Sequence, residues 1–149
     1  MEEVITIAIR YLSRRDYSRR ELYDRLQTKG FASAVIEAAL NDLEEKGYQS
    51  DERFAETFLR SRVNKGDGPF KIRMQLGQKG VGKAVITQLF DSIDIDWLAQ
   101  AHKVRQKHFG DQLPADSKGL SKQMRYLRNK GFYQDHIDTV LSVDNDILK

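Results

Sequence analysis

One six-residue phrase recurs at nearly constant spacing, and this recurrence constrains the fold more than any other feature. The phrases LQTKGF, LGQKGV and LRNKGF contain Gly30, Gly80 and Gly131, which are separated by 50 and 51 residues. A lysine in the last turn followed by a glycine is a common end of an α-helix. A fourth phrase, LEEKGY from Leu43, falls outside the spacing, so capping alone does not establish a repeat.

The residues that follow each glycine do establish one. The sixth and tenth positions are apolar in every copy: Ile36 and Leu40, Ile86 and Phe90, Ile137 and Leu141. With the fifth and ninth positions they form an i, i+1, i+4, i+5 stripe, which is typical of one buried helix face. The thirteenth position extends the stripe with Leu43 and Ile93 and breaks at Asp144. A register shared over a turn and a helix indicates three copies, the third the most divergent.

Helical signals also precede each phrase. Ser18 and Glu21 have the spacing of a capping box, Pro69 suits a first helical turn, and Asp96 can cap a third-copy helix. No segment shows the sustained apolar–polar alternation of a strand. We therefore predict an all-α protein built from three tandem three-helix repeats that form an elongated, curved helical solenoid. The predicted repeats cover residues 1–48, 49–95 and 96–149.

Composition excludes several classes of protein. The chain has no cysteine, so disulfides, thiol catalysis and thiolate metal sites are ruled out. Its first residues, MEEVITIAIR, carry two acids and only a short apolar run, and no stretch of roughly 20 apolar residues occurs. We expect a cytoplasmic protein without a membrane segment.

Charge is sorted by helix. Seven basic residues oppose one acid between Arg60 and Phe90, and eight oppose two between Ala101 and Gln134. The segments predicted as third helices are acidic instead; the one from Tyr133 to Asp146 has four acids and no base. Stacked repeats would present a basic surface on one side, suited to a phosphate backbone or a protein assembly wrapped on one. The alternative is a set of ordinary solvated faces.

None of the candidate catalytic or metal-binding motifs in the sequence is complete. The segment GQKGVGKA, from Gly77 to Ala84, matches seven positions of a phosphate-binding loop but lacks the final hydroxyl and a preceding strand. Hydrolysis of a nucleotide through Lys83 is therefore a minor hypothesis. His102, His108 and His136 form no H-E-x-x-H motif, and we expect neither a metal nor a cofactor.

The stretch from Gly47 to Val81 resembles the signature segment of the RecX family, bacterial regulatory proteins that modulate the RecA recombinase. The matching residues are Gly47, Tyr48, Asp51, Phe54, Ala55, Phe58, Arg60, Arg62, Gly68, Pro69, Ile72, Leu76, Lys79, Gly80 and Val81. YLSRRDYSRRELYDRL from Tyr11 and DIDW from Asp94 are similar to the family's opening segment and third-unit entry. Gln49 and Gln75 depart from the pattern, where an aliphatic residue and an acid are usual.

The resemblance implies a non-enzymatic inhibitor that binds in the groove of the RecA–DNA filament and hinders its extension. Recombinase, ATPase and co-protease activities, the last linked to the SOS response, would then fall. The implied partners are RecA and single-stranded or double-stranded DNA, with the protein acting as a monomer. Ten cations are expected to make the contacts: Arg60, Arg62, Lys65, Lys71, Arg73, Lys79, Lys122, Arg125, Arg128 and Lys130. The alternative is a general nucleic-acid-binding helical-repeat protein that acts without RecA.

Overall fold

The computed structural model describes residues 1–142, over which the chain forms nine α-helices and no strand, so the all-α prediction is confirmed. The helices are α1 (Glu2–Leu12), α2 (Arg19–Thr28), α3 (Ser33–Glu45), α4 (Asp51–Asn64), α5 (Pro69–Gln78), α6 (Lys83–Ser92), α7 (Trp97–Phe109), α8 (Ser117–Asn129) and α9 (Gln134–Val140). Within this described range, no helix has both the length and the apolar character needed to cross a membrane. Asp144 and Asp146, which entered the sequence predictions, lie outside it.

Local capping chemistry sets several of the helix ends. The Ser18 side chain accepts a hydrogen bond from the Glu21 amide, and the Glu21 carboxylate accepts one from the Ser18 amide, which confirms the capping box. Asp96 accepts a bond from the Ala99 amide at the start of α7, and Pro69 is the first residue of α5. A further cap, Asp116, accepts from the Gly119 amide at the start of α8.

Backbone contacts group the chain into two compact units that do not follow helix order. Unit 1 contains Met1–Leu59 and Gln75–Ile93, and unit 2 contains Arg60–Met74 and Asp94–Lys149. The middle helix set is therefore divided, because α4 and α5 each contribute residues to both units. The repeat boundaries at residues 48 and 95 stay a prediction.

Each unit has its own apolar core. In unit 1, α2 and α3 bury Leu22, Leu26, Ile36 and Leu40 completely, together with residues of α1. In unit 2, the core residues are contributed by α7, α8, α9 and the turn before α9: Ala101, Val104, Leu127, Phe132, Ile137, Val140 and Leu141. Full burial of a leucine or isoleucine contributes about 1.5–3 kcal/mol, so the predicted stripe supplies much of the stability of each core.

The recurring Lys-Gly pair has two structural uses. Gly30 ends α2 with positive φ, and a Cβ built there would meet no atom of residues 1–142 within 4 Å, so this glycine serves as a helix end. A Cβ on Gly131 would instead lie 2.3 Å from the Cβ of Lys71. The carbonyl oxygen of the preceding Lys130 accepts a hydrogen bond from the Gly68 amide at 2.7 Å. Gly131 therefore permits close backbone contact as well as helix termination.

The same contact recurs within unit 1. The carbonyl oxygen of Lys79 accepts a hydrogen bond from the Ser18 hydroxyl at 2.7 Å, and a Cβ on Gly80 would lie 2.6 Å from the Cβ of Arg20. Ser18 and Gly68 occupy equivalent positions, each twelve residues before the glycine of its own repeat. In both places a Lys-Gly pair packs against the start of the second helix of the preceding repeat, where the lysine carbonyl accepts a hydrogen bond and the glycine permits the close approach.

Candidate functional site

The two units differ in charge. Unit 1 carries 11 basic and 13 acidic residues, a formal net charge of −2, whereas unit 2 carries 14 basic and 9 acidic residues, a net charge of +5. The net charge of +3 for the whole chain therefore conceals a separation between the units. An anionic partner would be attracted to unit 2.

Nine of the ten cations predicted from the sequence belong to unit 2. The exception is Lys79, which lies in unit 1. The nine are Arg60, Arg62, Lys65, Lys71, Arg73, Lys122, Arg125, Arg128 and Lys130. The end of α4 and the start of α5 thus share a compact unit with α8, although Arg73 and Lys122 are 49 residues apart in sequence.

Three of these cations converge on one buried carboxylate. Asp67, in the turn between α4 and α5, is completely buried, and the Arg62 guanidinium donates a hydrogen bond to its Oδ2. The ammonium groups of Lys71 and Lys130 lie 3.3 and 3.5 Å from its Oδ1. Arg62, Lys71 and Lys130 therefore hold the turn together, and part of their charge is neutralised inside the unit.

The arrangement controls the ionisation of Asp67. Burial alone would raise the pKa of this carboxyl, but the hydrogen bond and charge of Arg62, together with the charge of Lys71, outweigh burial and lower its pKa. Asp67 is therefore ionised at neutral pH and acts as the internal counter-ion of the three cations.

Lys79 has a similar structural role in unit 1. Its ammonium lies 3.3 Å from the Glu21 carboxylate, which also pairs with Arg15 at 3.3 Å. Partial burial of the Glu21 carboxyl would raise its pKa. The pKa is lowered instead, because the carboxylate accepts hydrogen bonds from the Arg15 side chain and the Ser18 amide and lies near the charges of Arg15 and Lys79. Lys79 is thus engaged with an acid in the unit of net negative charge.

In unit 1 the helix-by-helix sorting of charge leads to internal pairing. Arg19 of α2 contacts Glu37 and Glu44 of α3 at 2.7 and 3.0 Å. Arg53 of α4 also contacts an acid, Asp16 of the segment between α1 and α2, at 3.0 Å. Basic and acidic helices that are separate in sequence therefore compensate one another here, and sorting alone does not create a basic surface in this unit.

The outer side of α8 is a basic feature of unit 2. Lys118, Lys122 and Arg125 follow i, i+4, i+7 spacing, which places them on one helix face, whereas Gln123 and Leu127 are buried on the other. Arg128 is also exposed and donates a hydrogen bond to Gln134 at 2.9 Å. We call these four cations the α8 basic face: Lys118, Lys122, Arg125 and Arg128.

The other predicted cations of unit 2 lie on α4, α5 and the turn between them. Arg60 near the end of α4 and Lys65 just beyond it are exposed, and Arg73 of α5 is half-buried. Within residues 1–142, Lys65, Lys122 and Arg125 form no ion pair with an acid. Their charges are accordingly more available to an external anion than those of Arg62, Lys71 and Lys130.

A cleft of about 320 Å³ opens in unit 2 between the end of α4, α7 and α8. Four lysines line it, Lys65, Lys103, Lys107 and Lys130, and among residues 1–142 no acidic residue does. We call it the lysine cleft. Gln100 of α7 fixes one wall, because its amide donates a 2.7 Å hydrogen bond to the carbonyl of Val63 at the end of α4.

Aromatic rings form another part of the cleft wall. The rings of His108 and Tyr126 stack with centroids 3.9 Å apart and planes at 13°, and Phe109 meets both edge-on. The sequence predictions missed His108 and Tyr126, since no local pattern joins residues on two helices. Lys103 and Lys107 carried a signal, because like charges at i, i+4 repel on one helix face.

The structure does not supply the setting of a phosphate-binding loop. The segment Gly77–Ala84 contains the end of α5, a turn and the start of α6, so a helix stands where a strand is required. Among residues 1–142, no three His, Asp or Glu side chains form a group that could hold a metal ion.

Sequence comparisons match the three helix sets separately. Family models of the first, second and third three-helix domains of RecX match residues 5–43, 50–89 and 94–141. The regulatory protein RecX of Halorhodospira halophila is 40% identical over 136 residues, which cover 91% of this chain and 84% of the relative. The chain belongs to the RecX family. RecX of Pseudomonas putida is similar too, at 38% identity over 91% of this chain and 86% of its own length.

Solved RecX structures have the same fold. A crystal structure of RecX from Lactobacillus salivarius superposes with a TM-score of 0.79 at 23% identity, covering 95% of this chain and 94% of that one. A second crystal structure of a regulatory protein RecX superposes with a TM-score of 0.83 at 21% identity, covering 95% of this chain and 72% of that one. The prediction of an all-α repeat fold of the RecX type is confirmed.

Proposed function

We propose that this RecX-family protein is a negative regulator of the RecA recombinase. It binds the RecA–DNA filament through the basic surface of unit 2 and hinders filament extension. ATPase, strand-exchange and co-protease activities fall as a result. It acts as a monomer in the cytoplasm and is not itself an enzyme.

The observation that supports this proposal best is the separation of charge between the units. A filament built on DNA carries a regular array of phosphates, and a surface of net positive charge is attracted to it. Family membership supports a regulatory role, and the net charge of +5 favours unit 2 as the binding surface.

The ten predicted contact residues divide into two groups under this proposal. Lys65, Lys122, Arg125 and Arg128, with Arg60, are exposed and form the contact surface. The others contribute mainly by supporting it, because they pair with the buried Asp67 or the partly buried Glu21, or are themselves half-buried: Arg62, Lys71, Arg73, Lys79 and Lys130. Substitution in the second group would destabilise the fold as well as weaken binding.

The test is a titration of the purified protein into preformed RecA filaments on single-stranded DNA while ATP hydrolysis is followed. We expect hydrolysis to fall at concentrations of this protein below that of RecA, because one bound molecule blocks extension past its position. A rate unchanged up to equimolar protein would refute the proposal.

The general nucleic-acid-binding alternative makes a different prediction. Such a protein would bind naked DNA or RNA equally well with or without RecA at ~0.15 M salt. It would also leave ATP hydrolysis by RecA unchanged when DNA is in excess. The same titration, repeated with excess competitor DNA, separates the two functions.

A further inference from the structure

We infer that the lysine cleft of unit 2 binds one nucleotide of a single strand, with the phosphate held by lysines and the base stacked on His108. The inference rests on the proposed function only in taking this strand to be the DNA of the filament. The binding chemistry itself requires nothing but the cleft.

The positive charges of the cleft favour binding of an anion. Lys130 is partly neutralised by Asp67, at 3.5 Å, but within residues 1–142 Lys65, Lys103 and Lys107 pair with no acid. Lys103 and Lys107 lie one turn apart on α7, an arrangement that costs an isolated helix about 0.2–0.5 kcal/mol. A bound phosphate would relieve that repulsion, and lysine binds phosphate well as a point charge.

The aromatic wall adds a feature that a simple anion would not need. His108 is exposed although one ring face stacks on Tyr126 and Phe109 meets its edge. The opposite ring face is therefore the part available to a planar partner. Tyr126 and Phe109 restrict the ring from two sides, so the His108 side chain would lose little conformational freedom when a base stacks on it.

Size and stacking together favour a single strand. A volume of about 320 Å³ lies at the small end of the ~300–1,000 Å³ range of ligand clefts, enough for one nucleotide but not for a duplex. A ring can stack on a base only when that base is not stacked within a helix. The cleft would therefore discriminate single-stranded from double-stranded nucleic acid without reading sequence.

The test uses the full chain without RecA and measures binding to a fluorescent oligo-dT strand, a duplex of equal length, and free dTMP. His108→Ala should weaken binding to the strand by roughly 5- to 160-fold, the range seen when a stacking residue is truncated. It should leave the salt dependence unchanged. His102→Ala is the matched control, because His102 is an exposed histidine of the same helix that does not line the cleft.

Substitution of the cleft lysines should change the salt dependence of strand binding. Combined Lys103→Gln and Lys107→Gln should lower the slope of log affinity against log salt by about 0.7, the change expected when the one phosphate held in the cleft is no longer neutralised. Lys83→Gln in unit 1 should lower neither affinity nor slope. His108→Phe should restore the binding that His108→Ala loses, since the phenyl ring retains the stacking surface.

Three results would overturn the inference: equal binding by His108→Ala and the wild type, equal losses in His108→Ala and His102→Ala, or duplex bound as tightly as single strand. Free dTMP bound as tightly as the strand would reassign the cleft to a free nucleotide. If variants that have lost strand binding still inhibit RecA fully, the assignment of this strand to the filament DNA is wrong while the proposed function stands. Normal strand binding with no effect on RecA would refute the proposed function instead.

Discussion

Replacing Asp67 with asparagine tests whether a buried counter-ion in the turn between α4 and α5 holds three of the predicted cations together. The substitution preserves side-chain shape but removes the charge that faces Arg62, Lys71 and Lys130. Removing one partner of a buried ion pair costs about 3–5 kcal/mol. The three cationic side chains are 24%, 35% and 23% exposed and can regain some hydration, so we expect a loss of about 2–3 kcal/mol in the free energy of unfolding.

The pH dependence provides an internal check. Because the folded-state pKa of Asp67 is lowered, its contribution is complete above the ordinary aspartate value of about 3.9 and is lost as the pH falls through the folded-state pKa. Urea unfolding followed by circular dichroism should show the full difference between wild type and Asp67→Asn at about pH 7. The difference should shrink steadily below about pH 4.

Asp116→Asn is the matched control, because it removes the same charge from an exposed residue of unit 2 and keeps a side chain that can cap α8. Its effect should stay within about 0.5 kcal/mol. The reasoning is refuted if Asp67→Asn falls within the same limit at neutral pH. It is also refuted if the difference from wild type persists undiminished in acid.

Two further predictions concern the repeated Lys-Gly contact, and both are measured by urea unfolding. Gly131→Ala should cost at least about 2 kcal/mol more than Gly30→Ala, because both positions have positive φ but only Gly131 meets the Cβ of Lys71; equal costs would show that the contact is unimportant. Ser18→Ala should lower the free energy of unfolding by about 2 kcal/mol, since the hydroxyl accepts a hydrogen bond from the Glu21 amide and donates one to the Lys79 carbonyl. A loss below about 0.5 kcal/mol would contradict both roles.

Features fixed by local chemistry could be predicted from the sequence. The capping box at Ser18, the start of α5 at Pro69 and the cap at Asp96 depend on residues within one helical turn, and all three are confirmed. The buried stripe was predictable for the same reason, because 3.6-residue periodicity reports which face is covered. Ile36 and Ile137, at equivalent positions, are completely buried.

Features that depend on distant residues could not be predicted. In the sequence Asp67 is only part of a turn, and its pairing with Lys130, 63 residues away, depends on the packing of unit 2. Because of that pairing, Lys130 has a structural role. The charge pattern of the sequence predicts only that it contacts a binding partner. The stacking of His108 on Tyr126 likewise joins two helices, so a search for aromatic residues interleaved with basic ones along the chain does not find it.

The most direct test of the central claim is the affinity of this protein for preformed RecA–DNA filaments, measured by fluorescence anisotropy on two variants of equal charge change. One carries glutamate at Lys65, Lys122 and Arg125 in unit 2, and the other at the exposed unit 1 residues Arg14, Lys29 and Lys83. With helical content unchanged, we expect the first to lose at least about tenfold in affinity and to show a weaker salt dependence. The second should bind within a few-fold of wild type. Equal losses in both variants, or no loss in the first, would contradict the assignment of binding to unit 2.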